Sequence, residues 1–108
     1  MVLHVPPNGP AKDIASVIER LRRLLADLER IEAGWRPTLR DLGNAPHLED
    51  WQIVHRMLPS LAGVVHEHPV IADGHRTLTS DLWLIAPELG FARTFSRFYR
   101  LGQPEADD

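Results

Sequence analysis

Two histidines flanking a glutamate, His66-Glu67-His68, are the first residues in this chain whose types and spacing could do chemistry. On a β-strand, side chains two apart point to the same side, about 7 Å apart along the chain. Two imidazoles so placed can share one metal ion if a carboxylate joins them from the next strand. The strand pairing worked out below predicts Asp81 beside His66, which makes His66, His68 and Asp81 a candidate open site for zinc or non-haem iron. The same histidines on a solvated strand would need no ligand, and the alternative of no cofactor stands beside the zinc reading. His75 is predicted on the same face but more than about 10 Å away by strand rise, too far to serve as a further ligand.

A second set is basic and aromatic. Arg93, Phe95, Arg97, Phe98, Tyr99 and Arg100 follow closely on one another, and Arg93 to Leu101 holds three arginines and no acid. Aromatic faces and guanidinium groups on a sheet are one way to hold single-stranded nucleic acid. The alternative is structural: Phe95 and Tyr99 belong to the core, while Arg93 and Arg97 pair with Glu67, Glu88 or a carboxylate of the helix. Trp83, predicted opposite Thr94, would join Phe98 and Arg100 on the same surface.

Other chemistries lack their residues. The 108 residues include no cysteine, which removes disulfides, thiolate metal sites and cysteine nucleophiles, and which fits a reducing, cytoplasmic setting. Ser80, His66 and Asp81 resemble a triad only on paper, because Ser80 and Asp81 are neighbours on a strand and face opposite ways. Glu49 and Asp50 are adjacent too and do not converge. No glycine-rich phosphate loop, nucleophile elbow or His-Glu-x-x-His pattern occurs. A chain this short also has little volume for a deep pocket, so no enzyme is expected. The formal charge of -3 does not draw the protein as a whole towards nucleic acid or an acidic membrane surface.

The elements that must position these residues follow from periodicity. Ile14, Val17, Leu21, Leu24, Leu28, Ile31 and Trp35 recur at alternating spacings of three and four, with Ile18 and Leu25 widening the stripe. This predicts an amphipathic helix over 11–33, with Pro10 near its first turn and Gly34 in a left-handed position just past its end. The stripe is wider than a coiled-coil seam, which favours packing on the chain's own domain over self-association. The connection, 35–60, reads less clearly. Pro37 to Leu42 suits one helical turn stopped by Gly43, and 46–58 reads as a short helix, although Trp51, Ile53 and His55 also alternate as in a strand.

From Ala62 to Leu101 the pattern is that of a three-stranded antiparallel β-meander, with Asp73-Gly74 as a tight turn and Pro87 to Gly90 as a four-residue loop. The register then sets Ala72 opposite His75, His66 opposite Asp81, Ala86 opposite Phe91 and Leu82 opposite Phe95. One face collects Val65, Ile71, Leu78, Leu82, Leu84, Phe91, Phe95, Tyr99 and Leu101 as the core, and the other carries His66, His68, Asp81, Trp83, Phe98 and Arg100. The expected fold is a single α+β domain over 1–108, the helix packed on the meander, with a frayed acidic tail at 103–108. Met1 to Pro10 reads as neither signal peptide nor membrane anchor.

The stretches Thr79-Ser80-Asp81-Leu82, Pro87-Glu88-Leu89-Gly90-Phe91-Ala92-Arg93-Thr94 and Ser96-Arg97-Phe98-Tyr99-Arg100-Leu101-Gly102, with His68-Pro69 upstream, resemble the C-terminal signature of a family of small uncharacterised bacterial proteins. The resemblance covers the last 40 or so residues well. It implies that the hairpins form a unit, and it implies no catalytic residue. The expected function is a small non-catalytic binding or adaptor module that meets a protein partner or a second copy of itself. Its binding surface would be Trp83, Phe98, Arg100, Arg93 and Arg97. Nucleic-acid binding by strand 91–101 and metal binding by His66, His68 and Asp81 are the alternatives.

Overall fold

The computed structural model describes residues 2–105 and divides into two compact units, Met1–Lys12 with Met57–Asp108, and Asp13–Arg56. Of the expected tail, 106–108 lie outside the described residues.

The second unit is built on α1 (Ile14–Glu32), which forms where the apolar stripe predicts it. Asp13 precedes it at φ 65, a left-handed turn of the chain, so the helix starts at Ile14 and Pro10 stays outside it rather than in its first turn. The Ser16 hydroxyl donates to the Asp13 carbonyl. At the other end Gly34 takes the expected left-handed position, φ 102. There the Trp35 N–H donates to the Arg30 carbonyl and the Gly34 N–H to that of Ile31, a Schellman closure that satisfies carbonyls the helix would otherwise leave open. Arg30 stacks on the Trp35 ring, 4.2 Å from its centroid, and pairs with Asp27, while Glu19 and Arg23 pair one turn apart at 3.0 Å.

After the helix, Thr38 and Asp41 close a single turn on each other. The Asp41 carboxylate accepts from the Thr38 N–H and hydroxyl, and the Asp41 N–H donates to the same hydroxyl. The helix expected over 46–58 does not form. Asp50 sits at φ 51, a conformation that neither a helix nor a strand carries through, and Trp51 and Ile53 are exposed. No residue of 13–56 is buried, α1 included, so the core expected beneath the helix stripe is not formed within this unit.

The first unit holds the sheet: β1 (Leu3–His4), β2 (Ser60–Val64), β3 (Arg76–Ala86), β4 (Phe91–Thr94) and β5 (Phe98–Arg100). Its order is β1-β3-β4-β5, with β2 also on β3. The expected three-stranded antiparallel meander is therefore corrected to a mixed five-stranded sheet. One reason is β1, which runs parallel to the end of β3 with Leu3 beside Leu84, and is stopped by Pro6 after the Val5 N–H has reached the Ile85 carbonyl at 2.9 Å. Another is that Phe91 to Leu101 is two strands rather than one. Thr94 and Arg97 close a tight hairpin around Phe95 and Ser96, the Thr94 N–H donating to the Arg97 carbonyl at 2.9 Å.

The Pro87–Gly90 loop forms as the sequence predicts, with Ala86 opposite Phe91 and Gly90 at φ 80. Two residues further on, a bulge between Leu82 and Leu84 moves the register, so Thr94 rather than Phe95 faces Leu82. A second bulge in β3 sets Thr79 and Ser80 against the single residue Leu61 of β2, and there the Thr79 hydroxyl accepts the Leu61 N–H at 2.9 Å. The buried residues are Leu3, Val65, Ala86, Ala92 and Thr94. Leu78 and Phe95, expected in the core, are 71% and 72% exposed, Phe95 because it stands at the tip of the new hairpin. Among the described residues no helix is long and apolar enough to cross a membrane.

Candidate functional site

The β4–β5 hairpin brings the basic and aromatic residues together in a way a single strand would not. Arg100 pairs with Phe91 and Arg93 with Phe98, so these four occupy one face, while Ala92 and Tyr99 pair on the other. The Arg93 guanidinium lies over the Phe98 ring, 5.2 Å from its centroid, and Phe91 meets Phe98 edge-on at 6.0 Å. Arg100 is ion-paired to Glu67, with both side chains largely exposed. Two guanidinium groups and two aromatic rings thus share one surface, with Phe98 65% exposed. Such a surface can take a planar or anionic group by stacking and charge.

Of the five residues expected to bind, the structure gathers Arg93, Phe98 and Arg100. Arg97 stands opposite Thr94 at the hairpin end, one position out of phase with Arg93 and Phe98, and so falls on the other face. Trp83 is the extra residue of the β3 bulge, half-buried and without a partner on β4, rather than opposite Thr94. Phe91, expected in the core, is half-buried on the face of Arg93 and Phe98. The turn at Thr94–Arg97 brings Phe98 and Arg100 onto the face of Phe91 and Arg93, and its only sequence signal is the polar pair Thr94 and Ser96.

The hairpin turn is held by Thr94, 1% exposed, whose hydroxyl accepts from the Ser96 and Arg97 N–H groups at 3.3 Å and donates to the Arg97 carbonyl. Ser80 braces it from β3, its hydroxyl 2.9 Å from that of Ser96.

The expected zinc set does not assemble. Asp81 pairs with Ser60, not with His66, because β2 ends at Val64 and the chain leaves the sheet in a loop through 66–74. The Asp73-Gly74 turn forms, the His75 N–H donating to the Ala72 carbonyl at 3.4 Å, but no strand runs into it: the Val65 N–H donates to the His75 carbonyl and the Gly74 N–H to that of Val65, so the turn lies within a wider loop. Glu67 at φ 58 turns the chain out and its N–H donates to the Asp73 carboxylate at 2.8 Å. His68 is committed within the loop: its Nδ1 accepts from the Val70 and Ile71 N–H groups at 3.0 and 3.1 Å, and its ring lies 6.3 Å from Tyr99. Among the described residues no three His, Asp or Glu groups are placed to hold a metal.

A feature not foreseen from the sequence is a shallow cleft of about 380 Å³ lined by Pro6, Pro7, Pro10 and Pro87 with the charges of Lys12 and Glu88. In the helical unit, Thr38 holds the Asp41 carboxyl below its ordinary value, through its N–H first and its hydroxyl second, with a smaller contribution from the Arg30 charge.

No curated protein and no solved structure matches the chain. A model of the DUF6634 family, a family of unknown function, matches residues 13–107, which takes in most of both units, and the chain belongs to that family.

Proposed function

We propose that the chain is a small non-catalytic binding module that acts through protein–protein contacts. The observation that carries this reading is that residues 13–56 contain no buried residue although α1 has a continuous apolar stripe. Leu24, Leu25 and Leu28 are each more than half exposed. A 19-residue helix gains little stability in water from propensity alone; an amphipathic one is stabilised by whatever covers its apolar face. The cover we propose is a partner protein surface. The test compares the wild type with Leu24→Lys/Leu28→Lys, whose helix content is checked by circular dichroism because lysine is itself a good helix former. Self-association, or retention from native lysate of a protein that the variant fails to retain, supports the reading. A wild type that neither self-associates nor retains anything the variant does not would sink it.

A second reading rests on the Arg93, Arg100, Phe91 and Phe98 face. Its chemistry suits single-stranded nucleic acid, where aromatic stacking and guanidinium contacts act together. Fluorescence anisotropy with a labelled oligonucleotide should show binding that weakens with salt and is lost in Phe98→Ala and Arg93→Ala. Binding indifferent to both variants would exclude this face.

A further inference from the structure

The stripe of α1 carries enough pattern to name its partner. Ile14, Leu21 and Leu28 fall at one core position of a seven-residue repeat and Val17, Leu24 and Ile31 at the other, an unbroken alternation of three and four along the whole helix. The positions flanking this seam differ in kind. One flank carries Ile18 and Leu25; the other carries Arg20 and Asp27.

These flanks distinguish the two ways a second copy could lie on the helix. In a parallel pair each flank meets the opposite flank of the partner five residues on. Arg20 would meet Leu25, and Asp27 would meet Glu32: one charge against an apolar side chain and one like-charge contact. In an antiparallel pair each flank meets itself. When Ile14 lies level with Ile31, Val17 with Leu28 and Leu21 with Leu24, all six core residues are used. Ile18 then falls beside Leu25 of the partner, and Arg20 beside Asp27 of the partner, each contact occurring twice by symmetry. Arg20 has no ion pair among the described residues, and Asp27 has only Arg30 of its own helix, so both remain accessible to a partner.

We propose that α1 is the dimerisation element of this protein and pairs antiparallel with α1 of a second copy, in the register that sets Ile14 against Ile31. The proposal rests on the binding-module reading and adds the identity of the partner, the residues that meet and their direction. Ile18 and Leu25, which make the stripe too wide for a parallel seam, cover one side of the antiparallel pair. Arg20 and Asp27 exclude the parallel arrangement as well as supporting the antiparallel one.

The absence of cysteine makes the direction measurable, because an introduced thiol has no competitor. Full-length Ile14→Cys and Ile31→Cys are oxidised separately and as a mixture. The two positions are about 25 Å apart along the helix, so the antiparallel pair gives a crosslink between the variants in the mixture and none in either alone. Crosslinks in each variant alone mean a parallel pair and overturn the proposal, as does no crosslink at all. A second pair of variants does not touch the core. Arg20→Asp and Asp27→Arg should each weaken self-association about tenfold by placing like charges together, and an equimolar mixture should restore it. Equal association of the single variants and their mixture overturns the charge assignment. If light scattering finds a monomer at high concentration while the wild type still retains another protein that Leu24→Lys/Leu28→Lys does not, the dimer is refuted and the binding-module reading stands.

Discussion

Replacing Thr94 by valine keeps the side-chain volume and removes one hydroxyl, which isolates what that hydroxyl does for the last hairpin. In the wild type it accepts from the N–H groups of Ser96 and Arg97 and donates to the Arg97 carbonyl, at a position 1% exposed. Valine leaves the Arg97 N–H without that acceptor, whereas Ser96 keeps the Ser80 hydroxyl at 3.2 Å. A net hydrogen bond contributes about 0.5 to 1.5 kcal/mol, and a donor left unpaired in a part-buried turn costs about 1 to 3 kcal/mol. One orphaned donor and two weakened bonds therefore predict a loss of about 2 kcal/mol. For a unit of this size that lowers the melting temperature by roughly 8 to 16 °C. Thr94→Ser removes only a methyl group, keeps the three hydrogen bonds and should cost about 1 kcal/mol. Urea and thermal melts of the three proteins, followed by circular dichroism, provide the comparison. If valine melts within a degree or two of the wild type, or if serine is the more damaging change, the hydroxyl does not hold the turn and the face assignment of Phe98 and Arg100 loses its support.

Three shorter predictions follow from the same geometry. Gly90→Ala forces a side chain into φ 80 at the end of the Pro87 loop and should destabilise the sheet unit by about 1 kcal/mol, seen as a lower urea midpoint with an unchanged slope. Arg100→Ala breaks the pair with Glu67, but both side chains are largely exposed, so the stability change should stay below about 1 kcal/mol and shrink further in salt; a larger loss would mean that Arg100 anchors the 66–74 loop. Because the Asp41 carboxyl titrates lower in the folded turn than in the unfolded chain, its contribution is complete above the ordinary carboxylate pKa and is lost as pH falls through the lowered one. The Thr38 amide resonance should report that acid-side transition, and it should vanish in Asp41→Asn; a Thr38 amide indifferent to pH in the wild type would contradict the assignment.

What the sequence made legible were the elements with strong local rules. The helix stripe, Gly34 and the Pro87–Gly90 loop each depend on residues within a few positions of one another, and each formed where those residues predict. The Ala86–Phe91 pairing followed because the loop length alone sets it. The failures within the sheet are long-range and share one cause. A strand has a period of two, so one extra or missing residue exchanges its faces. The bulge at Trp83 and the turn at Phe95-Ser96 each do this, and neither is marked by glycine or proline. Together they placed Thr94 in the core, set Phe98 and Arg100 on the face of Phe91 and Arg93, and separated Arg97 from Arg93. The His66 site failed for another reason: the Asp73-Gly74 turn forms, but the Asp73 side chain reaches back to the Glu67 N–H and His68 captures two further N–H groups, so 66–71 folds into a loop instead of the strand that would carry His66 beside Asp81.

The pattern of failure also weighs the two candidate surfaces against each other. The arginine–aromatic face exists only because a hairpin and a bulge reset the register, so any change that slips β4 against β5 by one residue would dissolve it. The α1 stripe depends on no register within the chain: its Leu21, Leu24 and Leu28 face one way by helix geometry alone. A surface so simply encoded survives rearrangement elsewhere, and it is already apolar where the sheet unit has only Leu3, Val65, Ala86, Ala92 and Thr94 buried. With no buried residue in 13–56, covering α1 would give that unit the apolar burial it lacks. Dimerisation through α1 should accordingly be visible in stability as well as in mass. The melting temperature of the wild type should rise with protein concentration, and that dependence should disappear in Leu24→Lys/Leu28→Lys. A wild-type melting temperature that is flat across a hundredfold range of concentration would show that α1 contributes nothing between copies.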